Sequence, residues 1–571
     1  MGSFYLSKRK TKDGAIRLYA VENVWNFEKR KQDKKQTYIG CKHEDGTYAF
    51  NERTAQFLFL LRGTEFERRF YQWQDWQKAQ KAESDTSDPE VEKVVDCTDL
   101  SSGTSLLLTH VADKVGLVGK LNAVFGETLT DKLLSLAYFC AQGSRQPLYT
   151  AAKWSEDQKL PGDIHLSERD ISEVLGSISA SQILEFLTLW IKGTPVDNRL
   201  SLDITSISSY SKGNPDVMFG YNRDHEKLPQ INLLFIVDQE TKLPVWFEQL
   251  PGAISDMTTV KDTTQMLDQI GVKRKIVCDR GFSCNENIAC LQKHGFKFTM
   301  GVALHCFPDI IEKLDQAKQA NEFCMPGLTH EMFDTGDVLP TQGITKIIKK
   351  NGHRLYLHLY YCPSYKSGND ADLMEHVDRV AQMLEQGKSP VSKLDREIAE
   401  KCFSTHKYKG RIIVHCDANA VAAMKEEHGG YFAIISNQIK DCQEALRVYK
   451  LRDGVEKRFD DLKNEEDCQR LRVHSAARMR ARLFVQFLAQ ILRCYILNQR
   501  QTRLDVWKTY KQMPKTVSDI IRAVAAMRYI HIEGHHPFYK RPTRVQLNLF
   551  RFFGIDTSSR LWWPSLRKFT G

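Results

Sequence analysis

Two short stretches with the pattern of sheet strands each carry one aspartate. Over residues 200–205 apolar residues alternate with polar ones, which is typical of a half-buried strand, and Asp203 lies on the polar face. Over residues 275–278 an apolar run ends at Asp279, and the turn residue Gly281 follows at once. Open α/β sheets bind their ligands at the ends of strands. We therefore expect an α/β domain with carboxylates at one edge of its sheet.

Residues 449–463 have the pattern of a single amphipathic helix. At about 100° of rotation per residue, one stripe brings a phenol, two cations and a carboxylate within roughly 60° of one another. The apolar residues fall on a separate face that can be buried. The polar stripe is then free to face a polyanion, although a solvated charged face is the ordinary alternative. The stripe consists of Tyr449, Arg452, Glu456 and Lys463.

The three segments together resemble a known family. The pattern Tyr-x2-Arg-x3-Glu-x6-Lys resembles the signature helix of the IS4-type DDE transposases, and this chain matches all four positions. The segments around Asp203 and Asp279 resemble the strands that carry the first and second catalytic aspartates of that family. The opening segment and residues 126–163 resemble the IS1634-like branch. The resemblance implies an RNase H-like core, a mixed sheet flanked by helices, with a β-rich insertion.

The resemblance implies that Asp203, Asp279 and Glu456 are the catalytic residues and metal ligands. Three carboxylates without thiolate or imidazole suit Mg²⁺ or Mn²⁺. They also need a cation, because three negative charges repel one another at close range. Two ions about 3.5–4 Å apart would activate a water or a 3′-hydroxyl and stabilise the leaving oxygen. A lone aspartate at a strand end more often caps a helix or forms a turn, so the joint occurrence is what favours catalysis.

Six other side chains are candidate DNA ligands. Arg452 and Lys463 would hold phosphates beside the scissile bond. Arg223 lies in a loop that resembles one near the first aspartate of the family, and an ordinary sheet-edge loop is as good an interpretation. Trp246 could hold a flipped base, as an aromatic residue does in related enzymes that make hairpin ends, but the strand pattern around it favours the core. The candidates are Tyr449, Arg452, Lys463, Arg280, Arg223 and Trp246.

At 571 residues the chain is long enough for several domains. Asp279 and Glu456 are 177 positions apart, too far for one loop, so folded structure is expected between them. The predicted segments are a basic N-terminal DNA-binding region at 1–82, a helical DNA-binding or dimerisation domain at 83–195, the first part of the core at 196–300, the insertion at 301–410, the second part with the glutamate helix at 411–497, and a basic C-terminal region at 498–571.

Positive charge is concentrated at the two ends of the chain. The formal net charge is +10, with an excess of +6 over residues 1–35 and +9 over residues 501–571. Such ends favour phosphate contacts. At the N-terminus a basic hairpin on DNA and a Lys-rich edge strand that prevents aggregation are about equally good interpretations. The aromatic residues of the C-terminal region fit core packing better than base stacking.

The expected activity is cut-and-paste transposition of an insertion sequence, with a hairpin intermediate left open. The expected partners are the terminal inverted repeats, target DNA and a second copy in a synaptic homodimer. The 14 cysteines include no Cys-x2-Cys pair and no apolar signal or membrane segment is evident, so reduced thiols in a cytoplasmic, nucleoid-associated bacterial or archaeal protein are expected. The alternatives are a metal-dependent nuclease without strand transfer and a domesticated DNA-binding repressor.

Overall fold

The computed structural model describes most of the chain in two compact units. One unit comprises Met1–Thr98 with His531–His535, and the other Asp99–Ile530 with His536–Gly571. The described residues are 4–12, 14–26, 31–84, 97–143, 145–224, 226–254, 256–272, 274–304, 307–324, 328–331, 338–390, 392–408, 411–465, 470–471 and 473–557.

The N-terminal unit is a four-stranded antiparallel sheet packed on a helix. Strands β1 and β2 pair across a turn in which Gly14 has a φ of 80°, so the predicted hairpin is confirmed and two further strands extend it. Apolar residues from one face of the sheet, including Leu18 and Ile39, pack with Phe66 and Phe70 of the helix. The elements are β1 (Phe4–Lys10), β2 (Ile16–Asn26), β3 (Lys31–Lys42), β4 (Tyr48–Phe50) and α1 (Glu65–Ser84).

A helical segment precedes the central sheet in the second unit. Two of its helices begin with capping boxes, in which Ser167 and Ser179 accept the backbone N–H three residues on. Phe125 and Phe186 pack against Phe484, so this segment shares one core with the central sheet. The elements are β5 (Thr98–Ser101), α2 (Gly103–Lys114), α3 (Leu117–Phe125), α4 (Glu127–Ala141), α5 (Ala151–Ser155), α6 (Glu168–Ser177) and α7 (Ala180–Lys192).

The second unit is built on a mixed central sheet. Its strand order is β11-β12-β13-β16-β10-β9-β6-β7-β8, with β17 beside β6. β6 is parallel to β9 and β9 to β10, whereas β7, β8, β13 and β16 pair antiparallel with their neighbours. The strands are β6 (Arg199–Ser209), β7 (Gln230–Asp238), β8 (Pro244–Pro251), β9 (Lys275–Cys278), β10 (Lys297–Val302), β11 (Leu328–Glu331), β12 (Val338–Lys350), β13 (His353–Tyr361), β16 (Tyr431–Ser436) and β17 (Arg470–Leu471).

Helices cover the sheet, and a smaller cluster lies beside it. Val380, Ile398 and Val421 form the small core of that cluster, which contains a two-stranded hairpin. The elements are α8 (Asp256–Gln269), α9 (Asn285–Lys293), α10 (Pro308–Gln319), α11 (Pro363–Glu385), α12 (Lys393–Cys402), β14 (Phe403–Tyr408), β15 (Arg411–Cys416), α13 (Ala418–His428), α14 (Cys442–Lys450) and α15 (Asp453–Asn464).

The segment 301–410 is not separate from the sheet. β13 pairs with β16 along six residue pairs, so both β12 and β13 extend the central sheet beyond β10 and β16. The predicted boundary at residue 301 lies inside β10, and the boundary at residue 411 separates the two strands of the β14–β15 hairpin. The part with a core of its own is the cluster of α11, α12 and α13.

A long buried helix, α16 (Ala476–Thr502), crosses the core, and the chain then packs against α2. The apolar run near residues 483–497 is buried in α16, as predicted. Gly103 of α2 lies so close to the helix Val517–Ala525 that an added Cβ would be 1.7 Å from the carbonyl oxygen of Val524. The remaining elements are α17 (Leu504–Thr509), α18 (Val517–Ala525), β18 (Arg528–His531), β19 (Phe538–Tyr539) and α19 (Arg544–Phe553).

Most of the described aromatic residues in the C-terminal region are buried. Trp507, Tyr539, Phe552 and Phe553 are all below one-tenth exposed, which agrees with the core interpretation. Within the described ranges, no single helix is long and apolar enough to cross a membrane. Helices α6 and α7, which meet at 77°, reach the necessary length and apolar composition only when they are taken together as a bent pair.

Candidate active site

Asp203 and Asp279 lie side by side at one edge of the central sheet. The parallel pairing of β6 with β9 matches Leu202 to Cys278, so the next residue of each segment is an aspartate. The two strands are therefore aligned so that Asp203 and Asp279 lie level with each other. Asp203 is buried within β6, and Asp279 directly follows β9, where the chain turns into the short 3₁₀ helix Arg280–Phe282.

Arg452 lies between the two carboxylates. Its Nη1 is 3.5 Å from Oδ2 of Asp203, and its Nη2 is 3.6 Å from Oδ1 of Asp279. The same Nη2 is 3.3 Å from Oδ1 of Asp453. The guanidinium is almost fully buried, so its charge acts on both aspartates with little screening by water. A single cation therefore already occupies the position between these acids.

The two aspartates differ in their proton affinity. Burial raises the pKa of Asp203 to about 7; the charge of Arg452 opposes this shift and the neighbouring Asp279 adds to it. Burial also acts to raise the pKa of Asp279, but the charge of Arg452 and the hydrogen bond from Tyr449 outweigh it and lower the pKa below its ordinary value. The pair therefore favours one protonated and one ionised carboxyl when Arg452 is its only close cation.

Tyr449 also contacts Asp279. Its hydroxyl donates a 2.7 Å hydrogen bond to Oδ1 of Asp279. The phenol reaches this position because Gly301 of β10 lacks a side chain: a Cβ at Gly301 would be 2.5 Å from the phenol oxygen. Burial, followed by the charge of Asp279, raises the pKa of Tyr449 well above its usual value, so the hydroxyl remains a donor.

Residues 449–463 do not form one continuous helix, which corrects the sequence prediction. Tyr449 lies in α14, whereas Arg452 directly precedes α15. Between them the backbone N–H groups of Arg452 and Val455 bond to carbonyls three residues back, as in a 3₁₀ turn. Because residues three apart eclipse in such a turn, Arg452 stacks over Tyr449, with 5.5 Å from its Cζ to the ring centroid.

Glu456 lies in the first turn of α15, and its side chain lies outside the described residues. The apolar face of α15 is buried as expected, with Val455 and Leu462 each 1% exposed. Phe459 packs edge-on against Phe235 of β7, with ring centroids 5.7 Å apart. The helix is therefore seated on the sheet next to the strand that carries the first aspartate.

Lys463 does not join the two aspartates. Its Nζ lies 2.7 and 2.8 Å from the two oxygens of Asp224, in the loop between β6 and β7. Arg223 precedes Asp224 in that loop, and its charge opposes the rise in the pKa of Asp203 that burial causes. Arg280 is exposed directly beside Asp279. The loop and the end of α15 thus carry further cations next to the site.

Trp246 lies in the core. It is 3% exposed on β8, opposite Ile236 of β7. This placement favours the core interpretation over contact with a flipped base, because β8 lies two strands away from β6 in the sheet. Trp246 is thus not among the side chains brought together around Asp203 and Asp279.

Sequence reasoning missed Gly301 and Asp224. Asp224 lies in the loop that resembles one of the family, but no role was assigned to it, and Gly301 lies in no motif. Each acts through a partner far along the chain, Lys463 or Tyr449. A glycine inside an apolar strand pattern does signal a close approach of other atoms. The identity of those atoms depends on how β10 and α14 pack.

The donor atoms of the site fit a hard divalent cation. The oxygens of Asp203 and Asp279 converge on one guanidinium, which shows that a positive charge is accommodated there. Among the side chains that the structure describes, no group of three or more His, Cys, Asp or Glu residues is close enough to hold a metal. The described donors are therefore a pair of carboxylates.

Comparison with known proteins identifies the class of this protein. The model of the transposase DDE domain family matches residues 194–492, more than half of the chain. The chain belongs to this family, whose members transfer phosphoryl groups of DNA. The match includes both strands with aspartates, α14 and α15.

Among solved structures, the chain is similar to one described as "Cryo-EM structure of piggyBac transposase synaptic complex with hairpin DNA (SNHP)". The identity is 11%, the similarity covers 81% of each chain and the TM-score is 0.36, which is too low to bear on fold or function. None of the curated proteins matches this chain.

Proposed function

We propose that this protein is a cut-and-paste DNA transposase of the IS4 type, IS1634-like branch, with Asp203, Asp279 and Glu456 as its catalytic triad. The observation that carries the proposal is the adjacency of Asp203 and Asp279 on parallel strands, both in contact with the cation of Arg452. The three antiparallel strands β6–β8, continued by parallel β9 and β10, support an RNase H-like core.

In this proposal the three carboxylates hold Mg²⁺ or Mn²⁺, with two ions per site. Bound divalent ions would supply the positive charge that activates the attacking oxygen and stabilises the leaving oxygen of an in-line phosphoryl transfer. The residues of the chain position the acids: β6 and β9 fix the two aspartates, and Tyr449 orients Asp279 through its hydrogen bond. DDE transposases generally use divalent metals, which agrees with this donor set.

The neighbouring cations are proposed to bind the DNA. Arg452 has a planar guanidinium suited to bidentate phosphate contact, and Lys463 adds a second charge at the end of α15. Arg280 and Arg223 flank the two aspartates and extend this positive surface. The proposed partners are transposon ends and target DNA, held by a homodimer.

The proposal is tested by incubating the protein with a duplex that carries the inverted repeats flanking its own gene. With Mg²⁺ or Mn²⁺ the wild type is expected to cleave both strands and join the ends to a target. Asp203→Asn, Asp279→Asn and Glu456→Gln should each abolish cleavage and leave DNA binding within about twofold. The matched control, Asp519→Asn, changes an exposed carboxylate on α18 and should cleave normally.

Each alternative gives a different result in the same assay. Cleavage without joining would assign the protein as a nuclease, and binding without cleavage would assign it as a repressor. Full cleavage by Asp279→Asn would remove the two-aspartate site from the mechanism. Accumulation of covalently closed ends would identify a hairpin intermediate.

A further inference from the structure

One face of the N-terminal sheet is basic and aromatic. Side chains alternate between the two faces of strands β1, β2 and β3, and one face packs on α1 through residues such as Leu18. We call the opposite face the outer face. On the described strands β1–β4, its cations and tyrosines are Arg9, Arg17, Lys34, Tyr5, Tyr19 and Tyr38.

The acidic residues of the sheet are confined to one face, whereas its cations lie on both faces. On the described strands β1–β4, the outer face carries no Asp or Glu. The acidic residues of these strands, Glu22 and Asp33, lie in register positions of the other face. Two lysines on that other face have acidic neighbours, since Lys35 is opposite Glu22 and Lys42 pairs with Glu65 of α1. The cations of the outer face therefore lack compensating carboxylates on their own face.

Two of these cations oppose each other directly. Arg9 of β1 and Arg17 of β2 are cross-strand partners, so their Cβ atoms lie about 5 Å apart. Both side chains are exposed. Like charges in this arrangement destabilise a sheet. The repulsion would be relieved by an anion lying across both strands.

The aromatic residues hold the cations over the sheet. The Cζ of Arg9 is 5.3 Å from the ring centroid of Tyr19, and Nζ of Lys34 is 5.7 Å from that of Tyr5. Tyr19 in turn packs edge-on against Tyr38. Such contacts restrict long side chains that would otherwise be free to move, and they lower the entropy lost when a phosphate binds.

Edge protection does not explain this pattern. A basic edge strand prevents aggregation, and β1, which carries Lys8, Arg9 and Lys10, is at the edge of its sheet. Arg17, however, lies on β2, which has a strand on each side, whereas Lys34 lies on the part of β3 that pairs only with β2. The outer face thus combines cations on three strands with no carboxylate on its described strands, which points to an anionic ligand that lies across the sheet.

We infer that the outer face of the N-terminal sheet binds the phosphate backbone of duplex DNA. This inference rests on the proposed function, which supplies DNA as the polyanion. Arg9, Arg17 and Lys34 contact phosphates, and Tyr5 and Tyr19 fix the positions of these cations. Contacts of this kind set affinity and orientation and carry little sequence information.

The experiment compares two triple variants of the full chain. The outer-face variant is R9Q/R17Q/K34Q, and the matched control is K8Q/K10Q/K35Q, which removes the same charge from the other face, on β1 and β3. Both are titrated with one duplex containing the inverted repeat and one of unrelated sequence, at several salt concentrations. Each lost phosphate contact lowers the slope of log affinity against log salt by about 1.

The outer-face variant is expected to bind both duplexes at least tenfold more weakly, with the salt slope reduced by about 2 to 3, and the control to resemble the wild type. Without DNA, the outer-face variant should unfold at the same or a higher temperature, because the Arg9–Arg17 repulsion is gone. Equal losses in both variants, or an unchanged slope in the outer-face variant, would overturn the inference.

Cleavage separates this inference from the proposed function. At saturating duplex the outer-face variant should still cleave, because Asp203 and Asp279 are intact. Wild-type binding with the expected slopes but no cleavage would contradict the proposed activity and leave the outer face as a DNA-binding surface. Normal cleavage with unchanged affinity in the outer-face variant would contradict the DNA-binding role of the outer face and leave the proposed activity standing.

Discussion

The phenol of Tyr449 packs against Gly301, in the space that a side chain at position 301 would occupy. A Cβ at Gly301 would be 2.5 Å from the phenol oxygen and 2.8 Å from the ring carbon that bears it. The phenol would have to move, and its hydrogen bond to Asp279 would be lost. An ordinary strand glycine thus determines where a proposed active-site hydroxyl lies.

We expect Gly301→Ala to reduce DNA cleavage by about tenfold or more, consistent with the loss of one preorganised contact. Tyr449→Phe removes only the hydroxyl and should give a similar or smaller loss. The control is Gly119→Ala in α3, where an added Cβ meets open space and should stabilise the helix by about 1 kcal/mol. Cleavage by Gly301→Ala at the wild-type rate would show that the position of Tyr449 is unimportant.

Arg452→Gln should destabilise the metal-free protein and increase its response to divalent ions. Removing one partner of a buried charge cluster costs about 3–5 kcal/mol, since Asp203 and Asp279 are left without their shared cation. Mn²⁺ should then raise the urea midpoint of the variant more than that of the wild type, because no guanidinium competes for the carboxylates. Arg522→Gln, at an exposed pair on α18, is the control. An equal Mn²⁺ effect in both proteins would contradict the prediction.

The stability of the metal-free protein should depend on pH through Asp203. Burial raises the pKa of this carboxyl to about 7, whereas the unfolded carboxyl titrates near 4. Between these values the folded state binds more protons, so the contribution of Asp203 to stability falls as the pH rises from about 4 to 7. Each pKa unit corresponds to about 1.4 kcal/mol.

Asp203→Asn should remove this dependence. Relative to the wild type, the variant should gain more stability at pH 8 than at pH 5, by a difference on the order of 1 kcal/mol or more. Urea unfolding in EDTA at both values measures the difference. Glu173→Gln, at an exposed pair on α6, serves as the control and should show the same offset at both pH values. A constant offset for Asp203→Asn as well would mean that Asp203 is ionised in the folded state throughout.

Asp224 and Lys463 should affect DNA binding in opposite directions. Both oxygens of Asp224 contact the Lys463 ammonium, so the carboxylate competes with a phosphate for that cation. Lys463→Met should weaken binding of a transposon end, whereas Asp224→Asn should strengthen it by about two- to fivefold. If the pair were only structural, both variants would lose stability and affinity together, and fluorescence anisotropy with parallel melting curves distinguishes the cases.

Local patterns predicted much of the sheet and of the site. The strands that carry Asp203 and Asp279, the later strands β13 and β16, and the buried α16 follow from apolar periodicity. The parallel register that brings the two aspartates level could not be read from their spacing, since pairing between distant strands depends on the packing of the whole sheet.

Three features depended on such long-range packing. The 3₁₀ turn at Arg452 interrupts a stretch whose apolar periodicity predicts one helix. Short 3₁₀ turns leave little trace in the sequence, so this interruption could not be predicted. β12 and β13 join the central sheet only through the pairing of β13 with β16, some 70 residues away. The contact of Gly301 with Tyr449 needs two elements to meet, and neither one shows it alone.

The most direct test of the account is electron paramagnetic resonance of Mn²⁺ bound to the protein with an uncleaved transposon end. We expect the wild type to bind two spin-coupled Mn²⁺ ions per chain, and Asp203→Asn and Asp279→Asn to lose the coupled signal while still binding the DNA. A coupled pair that persists unchanged in both variants would contradict the claim that Asp203 and Asp279 share the metal ions.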